Sequence, residues 1–243
     1  MARVFAGTSG WAYPTWKPKF YPADLGPARF LEYYSSHLNS VEVNYTFRHL
    51  PEKNLLANWI AATPPDFRFA VKAHQVITHW KRLRRAKGNT QEFLSSLRPL
   101  RKARKLGPIL FQLPPNFKYN LELLQDFLAA LPSDWRFVFE FRHASWFTDD
   151  VFRALRKANV ALCLAESDDL QTPQIRTADF AYLRLRKTKY SASARRALTR
   201  RVRALRRGGD VYIYFKHADE PSGALYAEEL HAAIKPLLRK SRY

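Results

Sequence analysis

Apolar and polar positions alternate along eight short segments of the chain, and this period of two predicts β-strands. Between most of these segments, apolar positions recur at the three- and four-residue spacing of an amphipathic helix. The predicted strands span residues 3–7, 40–47, 67–73, 107–113, 136–142, 160–166, 180–186 and 210–216. The predicted helices span residues 27–38, 51–63, 89–101, 120–131, 151–159, 193–207 and 226–240.

This alternation of strands and helices predicts an α/β fold. Eight parallel strands in 243 residues are typical of one (β/α)8 TIM-type barrel, here a single domain over residues 1–243. Residues 167–179, after the sixth strand, lack helical spacing, so that βα unit is predicted to have no regular helix.

The predicted strands carry polar residues on the face opposite their apolar face. In a barrel the apolar face packs against the helices and the other face points inward. In the second strand the apolar face is predicted to run from Val41 to Phe47. Inward polar residues gather at the carboxyl ends of the strands, where this fold places its active sites. They are Glu42, Asn44, Thr46, Lys72, His74, Gln112, Glu140, Arg142, Tyr182, Arg184, Arg186, Tyr212, Tyr214 and Lys216.

Two interpretations of these inward charges remain open. Glu42 with Lys72, or Glu140 with Arg142, are structural ion pairs in one interpretation and parts of a substrate site in the other. Burying many charges for stability alone gains little, so the set as a whole favours a substrate site.

The net charge of the chain indicates the kind of partner that it binds. The chain has 41 Lys and Arg against 21 Asp and Glu, a net charge of +20. The excess lies in residues 81–105, with ten basic residues and one acidic, and in residues 183–207, with eleven basic and none acidic. Such clusters favour a polyanion such as nucleic acid, with solubility at high salt or an acidic protein partner as alternatives. The predicted contacts to a nucleic-acid backbone are Arg82, Arg84, Arg85, Arg196, Arg200 and Arg203.

Three features that the sequence lacks indicate the cellular compartment of the protein. The N-terminal residues lack the basic-then-apolar pattern of a signal peptide, and no apolar run has the length of a membrane span. The single cysteine, Cys163, cannot form an internal disulfide. We therefore expect a cytoplasmic protein that does not bind membranes, and no obligate protein partner is evident.

The stretch GTSGWAYPTWKPKFYP, residues 7–22, follows the first strand and is rich in glycine, proline and aromatic rings. As the first βα loop of a barrel it would lie at the mouth. Its rings are either a hydrophobic plug or surfaces on which bases stack. We expect Trp11 and Tyr13 to be the exposed pair and about half of the rings to be plug.

Seven motifs in the chain resemble the YecE-like family, domain of unknown function 72. They are GTSGWAYPTWKPKFYP, SVEVNYTFRHLP, FRFAVKAHQVITH, LGPILFQLPPNF, FVFEFRHASWF, YLRLR and VYIYFKHADEPSGALYAEEL. The resemblance implies a TIM barrel but no defined activity. Likeness to the barrels of endonuclease IV and xylose isomerase implies nucleic-acid binding. Lys216 and His217 stand where the common family pattern has two asparagines, which adds positive charge there.

The chemistry predicted for the mouth is phosphate binding with acid–base catalysis. Arg142, Arg184, Arg186 and Lys72 can hold phosphate, while Glu42 and Glu140 would act as general acid and base or hold a divalent metal. His143 is a candidate for proton transfer. His74 and His217 lie near strand ends, but no HxH, HExxH or CxxC spacing supports a metal, so the cofactor is undetermined. Lys72 joins Glu42, Glu140 and His143 as the catalytic candidates.

Three functions fit these features. The first is a hydrolase of nucleic-acid phosphodiesters, with single strands favoured as substrate. The second is an enzyme for a small anionic, phosphorylated metabolite, and the third is a nucleic-acid binder without catalysis. The predicted substrate contacts are Trp11, Tyr13, Asn44, His74, Gln112, Arg142, Tyr182, Arg184, Arg186, Tyr214, Lys216 and His217.

Overall fold

Eight parallel strands form one sheet that curls into the predicted barrel. The structure, a computed structural model, describes residues 2–168, 171–216 and 220–239. Its strands are β1 (Val4–Thr8), β2 (Ser40–Val43), β3 (Arg68–Lys72), β4 (Leu106–Gln112), β5 (Phe137–Glu140), β6 (Ala161–Glu166), β7 (Ala181–Leu185) and β8 (Val211–Phe215). They lie in the order β1-β8-β7-β6-β5-β4-β3-β2, and a bridge between Ser9 and Glu42 connects the β1 and β2 ends of the sheet.

The helices follow the strands and cover the outside of the barrel. They are α1 (Phe30–His37), α2 (Lys53–Ala61), α3 (Lys87–Ser96), α4 (Arg98–Lys102), α5 (Leu121–Ala129), α6 (Asp149–Lys157), α7 (Ala192–Arg206) and α8 (Ser222–Arg239). Between β6 and β7 the described residues contain no helix, which confirms that prediction. The third predicted helix is divided in two: α3 ends at Ser96 and α4 begins at Arg98, with Pro99 in its first turn, where the missing N–H is tolerated. No helix in the described part of the chain has the length and apolar character needed to span a bilayer.

Side chains from alternate positions of the strands form two separate apolar layers. Phe69, Phe111 and Phe139 point outward and pack beneath the helices. Between them in sequence, residues such as Ala70 and Leu110 fill the barrel interior. This alternation agrees with the predicted faces of the third, fourth and fifth strands.

The second strand departs from its predicted length. It ends at Val43, and residues 45–47 form a 3₁₀ turn instead of continuing the strand. The hydroxyl of Thr46 donates a hydrogen bond to the carbonyl oxygen of Lys72 at 2.7 Å, which fixes the turn against β3. The prediction that Tyr45 and Phe47 pack outward is therefore wrong: Tyr45 is exposed, and Phe47 lines the barrel mouth.

Gly7 allows β1 to approach β2 closely. A Cβ at this position would overlap the carbonyl oxygen of Ser40, a backbone atom that also accepts a hydrogen bond from the Tyr34 hydroxyl at 2.9 Å. We expect Gly7→Ala to lower the free energy of unfolding by about 3 kcal/mol, measured by chemical denaturation. Gly26→Ala is the matched control, since open space surrounds Gly26. Equal stability of the two variants would contradict this account of the β1–β2 contact.

Candidate functional site

A buried ion-pair network forms the floor of the barrel mouth. Arg184, on β7, donates from Nη2 to Oε1 of Glu42 at 2.7 Å and from Nη1 to Oε2 of Glu140. Glu42 also accepts hydrogen bonds from the hydroxyls of Ser9 and Tyr182, each at 2.7 Å. Both carboxylates are fully buried, and Arg184 is nearly so. One arginine thus joins the carboxylates of β2 and β5 across the barrel.

The surroundings of Glu140 keep it ionised. Burial by itself raises the pKa of this carboxyl, but the charges of Arg184, Arg142 and Arg186 lower it to about 2. Arg142 donates from Nε at 2.5 Å, and Arg186 lies at 3.4 Å through Nη2. A buried carboxylate held by three arginines is a poor proton donor or acceptor near neutral pH. The burial of Glu42 and Glu140 argues against the acid–base role expected for them and favours a role in fixing the arginines.

A cavity of about 490 Å³ lies above this floor. Its lining comes mainly from the carboxyl ends of strands and the turns that follow them. Six of its side chains are Lys or Arg, and none of the described lining residues is acidic. The lining consists of Asn44, Tyr45, Phe47, Arg48, His49, Lys72, Gln112, Arg142, Arg184, Arg186 and Lys216.

Lys72, at the end of β3, differs from the arginines beside it. Its Nζ lies 3.8 Å from the centre of the Phe47 ring. No carboxylate of the described residues lies within ion-pair distance of this amine. Burial, with the positive charge of Arg184 as the next cause, lowers the pKa of Lys72 to about 8. Of the two ion pairs in the structural interpretation, Glu140 with Arg142 forms, whereas Glu42 pairs with Arg184 instead of Lys72.

Two further groups in the cavity are suited to receive an anion. The Nε atom of Arg186 is buried and has no hydrogen-bond acceptor among the described residues. Burial and the nearby arginines lower the pKa of Lys216. His217, the next predicted contact, lies outside the described residues. A bound anion would supply negative charge beside Lys216 and beside the partly exposed side chain of Arg186, which otherwise shares Glu140 with two other arginines.

Exposed aromatic rings stand on three consecutive turns after β2, β3 and β4. Tyr45 is 46% exposed, Trp80 69% and Tyr119 39%. Tyr45 stacks on His49 with ring centres 5.0 Å apart. These turns follow the carboxyl ends of their strands, so the rings surround the same end of the barrel as the cavity. Sequence reasoning missed all three rings; the signal for Trp80 was its position beside KRLRR in the first basic segment.

Comparisons with known proteins agree with this fold. The profile of the family described as "Protein of unknown function DUF72" matches residues 5–241. The chain belongs to the DUF72 family. Its structure resembles that of a DUF72 family protein from Thermotoga maritima MSB8, with a TM-score of 0.86 and 28% identity over 96% of this chain and 99% of that one.

Two curated relatives match part of this DUF72 chain. The UPF0759 protein YecE of Escherichia coli K12 is 34% identical over 145 residues, which are 59% of this chain and 50% of YecE. The UPF0759 protein YunF of Bacillus subtilis 168 is 31% identical over 152 residues, 60% of this chain and 52% of YunF. The matches therefore span about half the length of these relatives.

The first βα loop of the DUF72 barrel is largely a plug. Trp16 and Tyr21 are fully buried, while Trp11 and Tyr13 are half-buried. Trp11 packs edge-on against Trp59, with ring centres 5.4 Å apart. Neither Trp11 nor Tyr13 lines the cavity. Their contact with a substrate stays a prediction.

Several other predicted site residues lie away from the cavity. The interior tyrosines Tyr182 and Tyr214 are fully buried below it, where Tyr214 shares a hydrogen bond with the Ser40 hydroxyl at 2.6 Å. Their burial argues against direct contact with a substrate, and that contact stays a prediction. His74 and His143 each accept a hydrogen bond from a backbone N–H two residues further on, and neither lines the cavity.

No metal-binding cluster of three His, Cys, Asp or Glu side chains occurs within the ranges that the structure describes. Asn44 and Gln112 do line the cavity. The Nε2 of Gln112 donates to the Leu113 carbonyl at 3.1 Å, which orients its amide.

The two basic segments lie on different parts of the barrel. Arg82 follows β3 and donates to the side chain of Asn116, in the loop after β4, at 3.3 Å. It therefore lies at the rim of the mouth, and the exposed Arg84 and Arg85 follow in the same loop. In contrast, α7 packs against α8, and Arg203 donates to the carbonyl of Ala233 on that helix. The exposed Arg196 and Arg200 are thus on the flank of the barrel.

Proposed function

We propose that the mouth of this DUF72 barrel binds the phosphate groups of single-stranded nucleic acid. The observation that carries the proposal is the cavity lined by six cations and by no acidic residue among those described. Among the described residues, the carboxylates that pair with these cations are the buried ones of Glu42 and Glu140, so positive charge is in excess there. Clustered positive charge with free guanidinium donors favours phosphate, which arginine contacts in bidentate fashion.

The exposed aromatic rings offer contacts for the bases of a strand in addition to the phosphate contacts of the cavity. Tyr45, Trp80 and Tyr119 can stack on unpaired bases, and such contacts contribute about 1–3 kcal/mol each. Arg82, Arg84 and Arg85, at the same rim, would follow the backbone. Stacking requires bases that are not paired inside a duplex, which is why the proposal is a single strand.

Phosphodiester hydrolysis has weaker support than binding. The two carboxylates expected to transfer protons are buried and ion-paired. His143 uses its Nδ1 to accept from the backbone of Ser145. The proposal is therefore a binding function, and cleavage is a separate outcome for the experiment to detect.

Fluorescence anisotropy with labelled single-stranded DNA and RNA over a salt series tests this function. We expect log K to fall with log salt by about 0.7 per phosphate neutralised. The same strands are then incubated with magnesium, manganese or zinc and analysed on gels. Binding without cleavage supports the proposal. Cleavage that is lost in Glu140→Gln would support the hydrolase function instead. Absence of binding at physiological salt would overturn both the binding function and the hydrolase function.

The exposed ring of Trp80 should contribute strongly to this binding. We expect Trp80→Ala to weaken single-strand affinity by about 5- to 100-fold, because a base loses its stacking surface. Trp80→Phe keeps an aromatic face and should retain most of the affinity. Anisotropy titrations measure both variants. Equal loss in the two would show that Trp80 does not act by stacking.

A second candidate function is an enzyme for a small phosphorylated metabolite. The size of the cavity favours it, since about 490 Å³ is within the range of small-molecule sites. This function needs neither the rim nor α7. Replacing Arg196, Arg200 and Arg203 with Gln, or Trp80 with Ala, would leave binding of a sugar phosphate unchanged.

A further inference from the structure

Lys72 is a nucleophile candidate that the binding function does not require. Its amine lies on the cavity wall over the face of Phe47, and no described carboxylate lies within ion-pair distance of it. Its backbone is fixed from both sides, by β3 and by the hydrogen bond from Thr46. The arginines nearby are permanently charged and cannot attack an electrophile.

An amine becomes nucleophilic when it loses its proton. A lysine that is desolvated by burial and lies beside other cations favours the neutral form, and such lysines form imines with carbonyl compounds. A pKa of about 8 makes the neutral amine on the order of a hundred-fold more abundant near pH 7 than it is in an ordinary lysine. The position of Lys72 on the cavity wall and the positive charges around it therefore both favour reaction of its Nζ with an electrophile.

We propose that Lys72 forms an imine with a ligand that carries an aldehyde close to a phosphate group. The inference rests on the proposed phosphate-binding function, because Arg142 and Arg186 would hold the phosphate while the aldehyde contacts Nζ. Two sources share this chemistry. One is a free aldose phosphate, and the other is a strand in which one deoxyribose has lost its base and exposes its aldehyde.

The bond changes balance without any co-reactant. The Nζ lone pair attacks the carbonyl carbon, a C–N bond forms, and the electron pair of the C=O π bond moves to oxygen. Two protons leave the nitrogen in turn and reach that oxygen through solvent. The C–O bond then breaks and releases water, which leaves a C=N bond to Lys72. The buried glutamates take no part.

Reductive trapping tests the imine. The intact protein is incubated with sodium cyanoborohydride and glyceraldehyde 3-phosphate, or with an oligonucleotide containing one baseless site, and adducts are located by peptide mass spectrometry. We expect labelling of Lys72 at least ten-fold above any other lysine. Unphosphorylated glyceraldehyde should label it at least ten-fold less. The ligand that traps faster identifies the source.

Lys72→Arg and Lys157→Arg are matched variants, since both keep the charge, but Lys157 is exposed in the last turn of α6 and does not line the cavity. We expect trapping to disappear in Lys72→Arg and to persist in Lys157→Arg. Labelling spread evenly over exposed lysines, or unchanged in Lys72→Arg, would overturn the imine. Anisotropy with an unmodified strand separates the two proposals. If the strand binds but no adduct is trapped, only the imine proposal is overturned. If neither phosphate ligand binds, the phosphate-binding proposal is overturned as well.

Discussion

Replacing Arg184 with methionine should lower the free energy of unfolding by about 3–5 kcal/mol near pH 7. Arg184 is the shared partner of Glu42 and Glu140, and its loss leaves two buried carboxylates without their main counter-charge. Chemical denaturation measures the change. The triple variant Arg184→Met, Glu42→Gln, Glu140→Gln removes the carboxylate charges too and should recover much of the loss. A single variant within about 1 kcal/mol of the wild type would contradict this account of the network.

The decrease in the free energy of unfolding caused by Arg184→Met should also depend on pH, and the pKa of Glu140 decides its direction. In the wild type this pKa is about 2, below its unfolded value, so the ionised carboxylate stabilises the fold above about pH 4. That stability is lost as pH falls through the folded pKa. Without Arg184, one of the three charges that lower the pKa of Glu140 is lost, so acid protonates this carboxyl at a higher pH in the variant than in the wild type. The difference in free energy of unfolding between the wild type and Arg184→Met should therefore become smaller from pH 7 towards pH 4.

Removing two cations from the mouth should weaken single-strand binding by ten-fold or more. Arg142 and Arg186 are partly exposed, line the cavity and would contact phosphate directly. We expect Arg142→Gln with Arg186→Gln to reduce the salt slope by about 1.4, which corresponds to two phosphates on a single strand. Arg184 remains to hold Glu140, and thermal unfolding checks that the double variant is folded.

The control for this experiment removes the same kind of charge elsewhere. Lys157 is exposed in the last turn of α6, at the opposite end of the barrel from the mouth. We expect Lys157→Gln to change the affinity less than two-fold. If Lys157→Gln weakened binding as much as a mouth variant, the attraction would come from overall charge and not from the cavity.

The alternation along the strands was sufficient to predict most of the barrel. Phe137, Phe139 and Phe141 alternate with Val138 and Glu140, and this period places the phenylalanines beneath the helices. The same alternation continues past Val43 to residue 47, although the strand ends. A hydrogen bond from Thr46 to β3 decides that boundary, and no local pattern reveals a contact between residues 26 positions apart.

The site was predicted as a set of residues but not as a set of contacts. The period of two placed Glu42, Glu140 and Arg184 together at one end of the barrel. It could not show that Arg184 binds both carboxylates and leaves Lys72 without one, because that choice depends on distances across the barrel. The exposure of Trp80 was equally hidden, since it follows from the fold of a single π-helical turn.

Photo-crosslinking tests the central claim, that the mouth and its aromatic rim hold the strand. A short single strand in which iodouracil replaces thymine is bound to the wild-type protein, irradiated, and its adducts are mapped by peptide mass spectrometry. Our account predicts adducts on the turns that carry Tyr45, Trp80 and Tyr119. Binding whose adducts fall only on α7 and α8 would instead place the strand on the flank of the barrel and contradict the proposal.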